Sequence, residues 1–184
     1  MNKQPVIDTI LGTCHKCSAY TDIYKKTIMK DDIGICLFCF SNAMPSKITK
    51  NLYLSDYENS KKYGLLKKLG IKQIITVGYE LEHKNTEFKT MHIKIDDVPS
   101  ANLYSQFIKT YEFIEKDKTV VHCMMGVSRS ATIAISYIMQ KKRIGYDEAH
   151  KLCKRKRPII DPNPGFIQQL KRMEKIMVKA GYIK

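Results

Sequence analysis

His122-Cys123-Met124-Met125-Gly126-Val127-Ser128-Arg129-Ser130 places a thiol, a glycine, an arginine and a hydroxyl at fixed offsets between two apolar stretches. The stretch before it, Thr119-Val120-Val121, predicts a short buried strand, and the one after it, Ala131 to Met139, is apolar nearly all round and predicts a buried helix. Five residues curling between a strand and a helix N-terminus present backbone N–H groups to one centre, an arrangement that binds anions. Gly126 lets the curl close. Arg129 adds a planar fork of donors matched to two oxygens of a tetrahedral anion, which lysine cannot reproduce. Amides and a cation facing a sulfur favour its nucleophilic thiolate form. Cys123 is therefore the candidate nucleophile for a phosphate ester, with Met124, Met125, Gly126, Val127, Ser128 and Arg129 as the phosphoryl cradle. His122 is expected to support the loop or the sulfur through its ring nitrogens.

Outward from this run, strand and helix signals alternate. Asn51 to Leu54 and Gln73 to Val77 read as short strands, and Asn59 to Leu69, closed by Gly70, reads as a helix between them. Residues 80–87 are polar and predict a loop. Met91, Ile93 and Ile95 alternate with His92 and Lys94, predicting a strand that delivers Asp96 and Asp97 at its end, with His92 facing solvent or satisfied locally. Leu103, Phe107, Tyr111 and Ile114 recur at helical spacing and predict an amphipathic helix behind the strand leading to Cys123. Two more helices are expected around residues 146–155 and 165–179, the first carrying Cys153 as a core thiol, with Pro158, Pro162 and Pro164 between them. The fold class is α/β, a central mixed or mostly parallel sheet flanked by helices.

The string H-C-x-x-G-x-x-R-S, closing a strand and opening a helix, resembles the signature of the dual-specificity protein tyrosine phosphatases. A second segment, Arg157-Pro158-Ile159-Ile160-Asp161-Pro162-Asn163-Pro164-Gly165-Phe166, is similar to a later element of that family. The resemblance covers residues 46–184 and implies the cysteine-phosphatase fold. The activity it implies is hydrolysis of phosphotyrosine and of phosphoserine or phosphothreonine in proteins through a phosphocysteine. It further implies that Ser130 stabilises the departing thiolate and that a carboxylate on a loop before the cysteine is the general acid. Asp97 in Ile95-Asp96-Asp97-Val98-Pro99 is at the matching position; Asp96 is its rival, because a shift of one residue at a strand end exchanges the two faces. Catalysis of this kind uses no cofactor. The expected partner is a phosphorylated protein, a kinase among the candidates. Two other readings are an RNA 5′-triphosphatase-like enzyme and a non-catalytic adaptor that binds phosphoproteins.

Residues 1–45 read as a separate lobe. Cys14-His15-Lys16-Cys17 and Cys36-Leu37-Phe38-Cys39 form two C-x-x-C pairs separated by eighteen residues, a spacing suited to four thiolates around one tetrahedral ion. Cys14, Cys17, Cys36 and Cys39 are the candidate ligands of a structural Zn2+ in a zinc-ribbon-like lobe. A segment this short needs such a staple to hold a core. Across 184 residues the net charge is +14, and residues 141–184 carry thirteen basic against four acidic side chains. No aromatic residues interleave with the basic runs as a stacking platform for nucleic acid requires. The N-terminus has no signal-peptide pattern and no apolar run is long enough to span a membrane, so the expected location is the cytoplasm, with the nucleus as an alternative.

Overall fold

The computed structural model describes residues 41–83 and 87–183, and within residues 1–40 the backbone of three strands, at 9–13, 20–25 and 34–36. The chain divides into two compact units, Met1–Ala43 and Met44–Lys184. In the first unit β1 (Thr9–Thr13), β2 (Tyr20–Lys25) and β3 (Gly34–Cys36) form an antiparallel sheet in the order β1-β2-β3. Cys14, Cys17 and Cys39, three of the four candidate metal ligands, lie outside the described residues, as does the side chain of Cys36.

The second unit is built on a five-stranded sheet ordered β4-β5-β8-β6-β7. Its strands are β4 (Ser46–Lys47), β5 (Leu52–Ser55), β6 (Gln73–Val77), β7 (Lys89–Ile93) and β8 (Thr119–His122). Only the edge strand β4 runs antiparallel; the other four are parallel, and β8 is central. Strands β5, β6 and β8 are buried throughout, as apolar runs covered on both faces must be.

Alternation sorts the two faces. Leu52, Leu54, Ile75, Val77 and Val121 join one core with helices α3 (Phe107–Lys116), α4 (Arg129–Lys142), α5 (Tyr146–Lys156) and α6 (Pro164–Lys179). Tyr53, Ile74 and Val120 point the other way and pack with Leu66, Ile71 and Phe88. Helix α4 is the axle of the larger core: every residue from Arg129 to Met139 is buried, as its all-round apolarity predicts. Cys153 is buried on α5, where the loss of water pushes its thiol up to about 12.

Two local expectations are corrected. The helix over Asn59–Leu69 is two short ones, α1 (Tyr57–Ser60) and α2 (Tyr63–Lys68). Asp56 caps the first through the Asn59 amide at 2.8 Å, and Lys62, with ψ 66°, breaks the helical path between them. Strand β7 also stops at Ile93, short of the aspartates, because its neighbour β6 ends at Val77 and the last rung is Val77 opposite Ile93. Ile95 keeps the inward alternation without a pairing partner and is buried in the core. Asp96 and Asp97 therefore sit on a connection, not at a strand end.

A Cβ on Gly165, in the first turn of α6, would run into the Pro99 carbonyl, so glycine lets the helix approach the segment that carries Asp97. Gly165→Ala is expected to cost about 1–3 kcal/mol, as overpacking does. Gly64→Ala in α2, where a Cβ meets nothing within 4 Å, is expected to be neutral or to stabilise by up to about 1 kcal/mol. Urea unfolding of the two variants measures the contrast.

Candidate active site

All four parallel strands point their C-terminal ends at one place. Ser55 ends β5, His122 ends β8, Gly78 follows β6, and the chain beyond β7 carries Asp97. Cys123 is the first residue after the central strand and is only 2% exposed. Arg129 opens α4, and the five residues between them form the loop expected from the sequence.

Four successive carbonyls of that loop are held from outside. Met124 O accepts the Tyr57 amide at 3.1 Å and Val127 O the Asp161 amide at 2.9 Å. The buried Arg157 guanidinium takes the other two, with Nε donating to Gly126 O at 2.8 Å and Nη2 to Met125 O at 3.1 Å. In a planar trans peptide the N–H opposes the C=O. The amides of Met125, Gly126, Val127 and Ser128 therefore turn away from these partners, toward the hollow above Cys123. Burial lowers Arg157 to about 10, which leaves it cationic at neutral pH. Gly126 has φ 67°, and a Cβ there would come within 2.5 Å of both Arg157 Nη2 and Ser55 O. The loop closes only around glycine.

The Ser130 hydroxyl donates to Cys123 Sγ at 3.1 Å. Arg129 is gripped end-on by Glu80, with Nη2 to Oε1 at 2.8 Å and Nη1 to Oε2 at 3.1 Å. Burial works against the arginine's charge, but the Glu80 hydrogen bond, followed by the charges of Cys123, Glu80 and Asp97, more than offsets this and raises it above its ordinary value. The same contact holds the Glu80 carboxyl below the usual carboxylate range. Arg129 Nε is buried, makes no hydrogen bond among the described residues, and lies 3.6 Å from Asp97 Oδ2. The Nη1/Nη2 edge of the fork is anchored by Glu80, while Nε has only the Asp97 carboxylate near it.

Asp97 is tied to the same loop. Its Oδ1 accepts from Ser128 Oγ at 2.6 Å and from Asn163 Nδ2 at 2.8 Å, while the Asn163 amide donates to Ser128 Oγ at 3.1 Å. Asp96 is exposed and makes none of these contacts. Beneath the loop His122 is fully buried, its Nε2 within 2.9 Å of Thr76 Oγ1 and 2.8 Å of His83 Nε2. Burial, followed by the neighbouring His83, depresses it to about 3, so the ring is neutral at physiological pH. His92, as expected, is satisfied locally, by the Gly78 carbonyl at 2.7 Å.

Cys123, Arg129, Ser130, Asp97 and His122 thus converge. Sequence reasoning passed over Glu80 and His83, which lie on a polar loop with no pattern to mark them. It quoted Arg157 and Asn163 in a motif but gave them no task. Nothing in a linear reading shows that an arginine 31 residues after Gly126 folds back beneath it.

A histidine neutral when folded and titrating near 6.5 when unfolded leaves the unfolded chain binding more protons between those values. The stability it contributes is complete above pH 6.5 and declines as pH falls toward about 3. From pH 7 to pH 5 this amounts to about 2 kcal/mol. Urea unfolding at both pH values is expected to show a loss smaller by about that amount in His122→Asn than in the unaltered chain; equal losses would contradict the assignment.

Residues 52–176 match the family model described as dual specificity phosphatase, catalytic domain. The chain is 44% identical over 119 residues to a Dictyostelium discoideum protein named as a dual specificity protein phosphatase, covering 62% of this chain and 30% of that one. It is 40% identical over 138 residues to a protein of Invertebrate iridescent virus 6 named as a tyrosine phosphatase, covering 71% of this chain and 92% of that one. Among solved structures, the human tyrosine phosphatase-like serine/threonine/tyrosine-interacting protein aligns with a TM-score of 0.69 at 30% identity, over 73% of this chain and 98% of that one. Several curated relatives are much longer: the chain spans 37% of a human dual specificity phosphatase.

Proposed function

The chain belongs to the dual specificity phosphatase family, and from that premise we propose that it hydrolyses phosphotyrosine and phosphoserine or phosphothreonine in proteins through a phosphocysteine. The observation that carries this reading is the Cys123 sulfur, 3.1 Å from the Ser130 hydroxyl, at the base of a loop whose carbonyls are all tied outward. In the first step the Cys123 thiolate forms a P–S bond as the P–O bond to the leaving group breaks. Inward amides and the Arg129 guanidinium, whose Nε makes no hydrogen bond among the described residues, take up the equatorial oxygens, where preorganised donors act most strongly. Asp97 gives its proton to the leaving oxygen, then receives one from the water that attacks phosphorus and breaks the P–S bond. Ser130 hydrogen-bonds the sulfur as it leaves.

His122 holds the strand end from which Cys123 projects, and being neutral it adds no charge beneath the sulfur. Glu80, Arg157 and Asn163 are positioning residues, fixing Arg129, the loop carbonyls and Asp97 respectively. The adaptor reading draws support from the likeness to a protein named as an interacting protein, but Cys123, Arg129 and Asp97 are all in place here. The substrate is a phosphorylated protein; a kinase is one candidate, in keeping with relatives named as MAP kinase phosphatases.

We further propose that Cys14, Cys17, Cys36 and Cys39 hold a structural Zn2+. The donor chemistry fits, and strands β1 and β3, both antiparallel to β2, run parallel to each other on either side of it, so their C-terminal residues Thr13 (opposite Tyr20) and Cys36 (opposite Ile23) point toward the same end of that sheet. The ion would stabilise the first unit and take no part in phosphoryl transfer.

Cys123→Ser is expected to abolish turnover of an aryl phosphate while keeping vanadate-competable binding of a phosphopeptide. Asp97→Asn is expected to lose about 10²–10⁴ in kcat for an alkyl phosphate and much less for an activated aryl phosphate; equal losses would remove Asp97 as the acid. Metal analysis is expected to find one zinc per chain, and chelation to unfold the first unit while aryl phosphate turnover persists.

A further inference from the structure

Large apolar side chains are exposed on the segments that carry the site. Among the described residues nine are well exposed, and four of these stand on the segments that bear the catalytic groups. Met124 (44% exposed) and Met125 (52%) are on the loop itself, Val98 (43%) follows Asp97, and Tyr79 (59%) precedes Glu80. Met124 O and Met125 O are hydrogen-bonded from outside, and the residues next to Val98 and Tyr79 are held by their side chains, Asp97 to Ser128 and Glu80 to Arg129. What projects is side chain alone, two flexible thioethers, a valine and an aromatic ring.

The charges interleaved with them are acidic. Glu80 and Asp97 keep 41% and 34% of their side chains exposed, Asp96 is exposed beside Asp97, and exposed Asp161 has its amide on Val127 O. Cations are also near: Lys94, two residues before Asp96, is exposed, Lys154 donates to the Ile160 carbonyl at 2.6 Å beside Asp161, and Lys61, over the Tyr57 ring, pairs with Glu58 at 2.7 Å. The cationic centre, Arg129, is buried and paired with Glu80 and Asp97, and the side chains exposed on the segments that carry the site include apolar ones and the carboxylates of Asp96 and Asp161.

We propose that this mouth selects phosphotyrosine flanked by apolar residues and rejects peptides that place acidic residues or a second phosphate beside it. This rests on the phosphatase reading above. An aromatic leaving group reaches the sulfur past Met124 and Met125, whose polarisable sulfurs pack on ring edges. Neighbouring apolar side chains bury against Val98 and Tyr79, whereas acidic ones meet Glu80, Asp96 and Asp161 at like charge. Phosphothreonine, shorter by a ring, leaves the thioethers uncovered.

The test uses the full chain and a phosphotyrosine peptide made in two forms, with isoleucine or aspartate on both sides, beside a phosphothreonine-X-phosphotyrosine peptide, a vesicle-borne phosphoinositide and a small aryl phosphate. The isoleucine form is expected to exceed the aspartate form by about tenfold in kcat/KM, the factor one buried aliphatic contact carries. It is expected to exceed the doubly phosphorylated peptide by at least as much. Part of the preference is expected to fall as salt is raised. Val98→Lys and Tyr79→Lys are expected to shrink the ratio between the two peptides, read within each variant against its own aryl phosphate rate. Equal rates for the peptides, a preference for the acidic or doubly phosphorylated one, or faster turnover of the phosphoinositide, with the aryl phosphate hydrolysed normally, would overturn the proposal alone. No turnover of the aryl phosphate would overturn the phosphatase reading and this proposal with it.

Discussion

The outward tethering of four carbonyls is the constraint on which the site depends. A loop of five residues between a strand and a helix has no intrinsic reason to aim its amides at one point. Here Tyr57, Asp161 and Arg157 each take carbonyls from Met124 to Val127, and planarity of the peptide does the rest. Arg157 contributes most, because one guanidinium holds two neighbouring peptides and is itself fully buried. A buried cation is costly unless its donors are used. The loop carbonyls use them, so the folding of the α5–α6 connection and the shape of the anion site are one event.

The parallel sheet supplies the other half. With β8 central and its neighbours aligned beside it, every C-terminal strand end delivers a component: Cys123 from β8, Glu80 after β6, Asp97 after β7, and the Ser55 carbonyl against Gly126 from β5. Sites at the carboxyl ends of parallel strands follow from this geometry. Helix α4 adds its N-terminus behind Arg129, and the burial of every residue from Arg129 to Met139 keeps that end from drifting. Charge is layered accordingly, with a neutral His122 below, Arg129 at the wall, and carboxylates outside.

Legibility in the sequence tracked how local each signal is. The strand-loop-helix run around Cys123 is contiguous, so its apolar flanks, its glycine and its arginine could be read directly, as could the strand over Gln73–Val77 and the buried α4. The break between α1 and α2 was missed because a capping aspartate and one non-helical lysine outweigh the apolar spacing across them. The end of β7 was missed because strand length is set by the partner, and β6 stops first. Glu80, His83 and the tasks of Arg157 and Asn163 were missed for one reason: each acts on a residue between 31 and 66 positions away, and no periodicity encodes that distance. The resemblance implies the second aspartate over the first, and it is the second that contacts Ser128, Asn163 and Arg129.

Both described cysteines of the catalytic unit are buried, yet only Cys123 lies where amides and a guanidinium converge, and that contrast is open to direct measurement. Peptide-level mass mapping after brief exposure to iodoacetate at neutral pH should find Cys123 modified well ahead of Cys153, with orthovanadate or arsenate blocking the reaction by occupying the loop. Modification of Cys123 no faster than that of a thiol in an unfolded peptide, and indifferent to either oxyanion, would contradict the account.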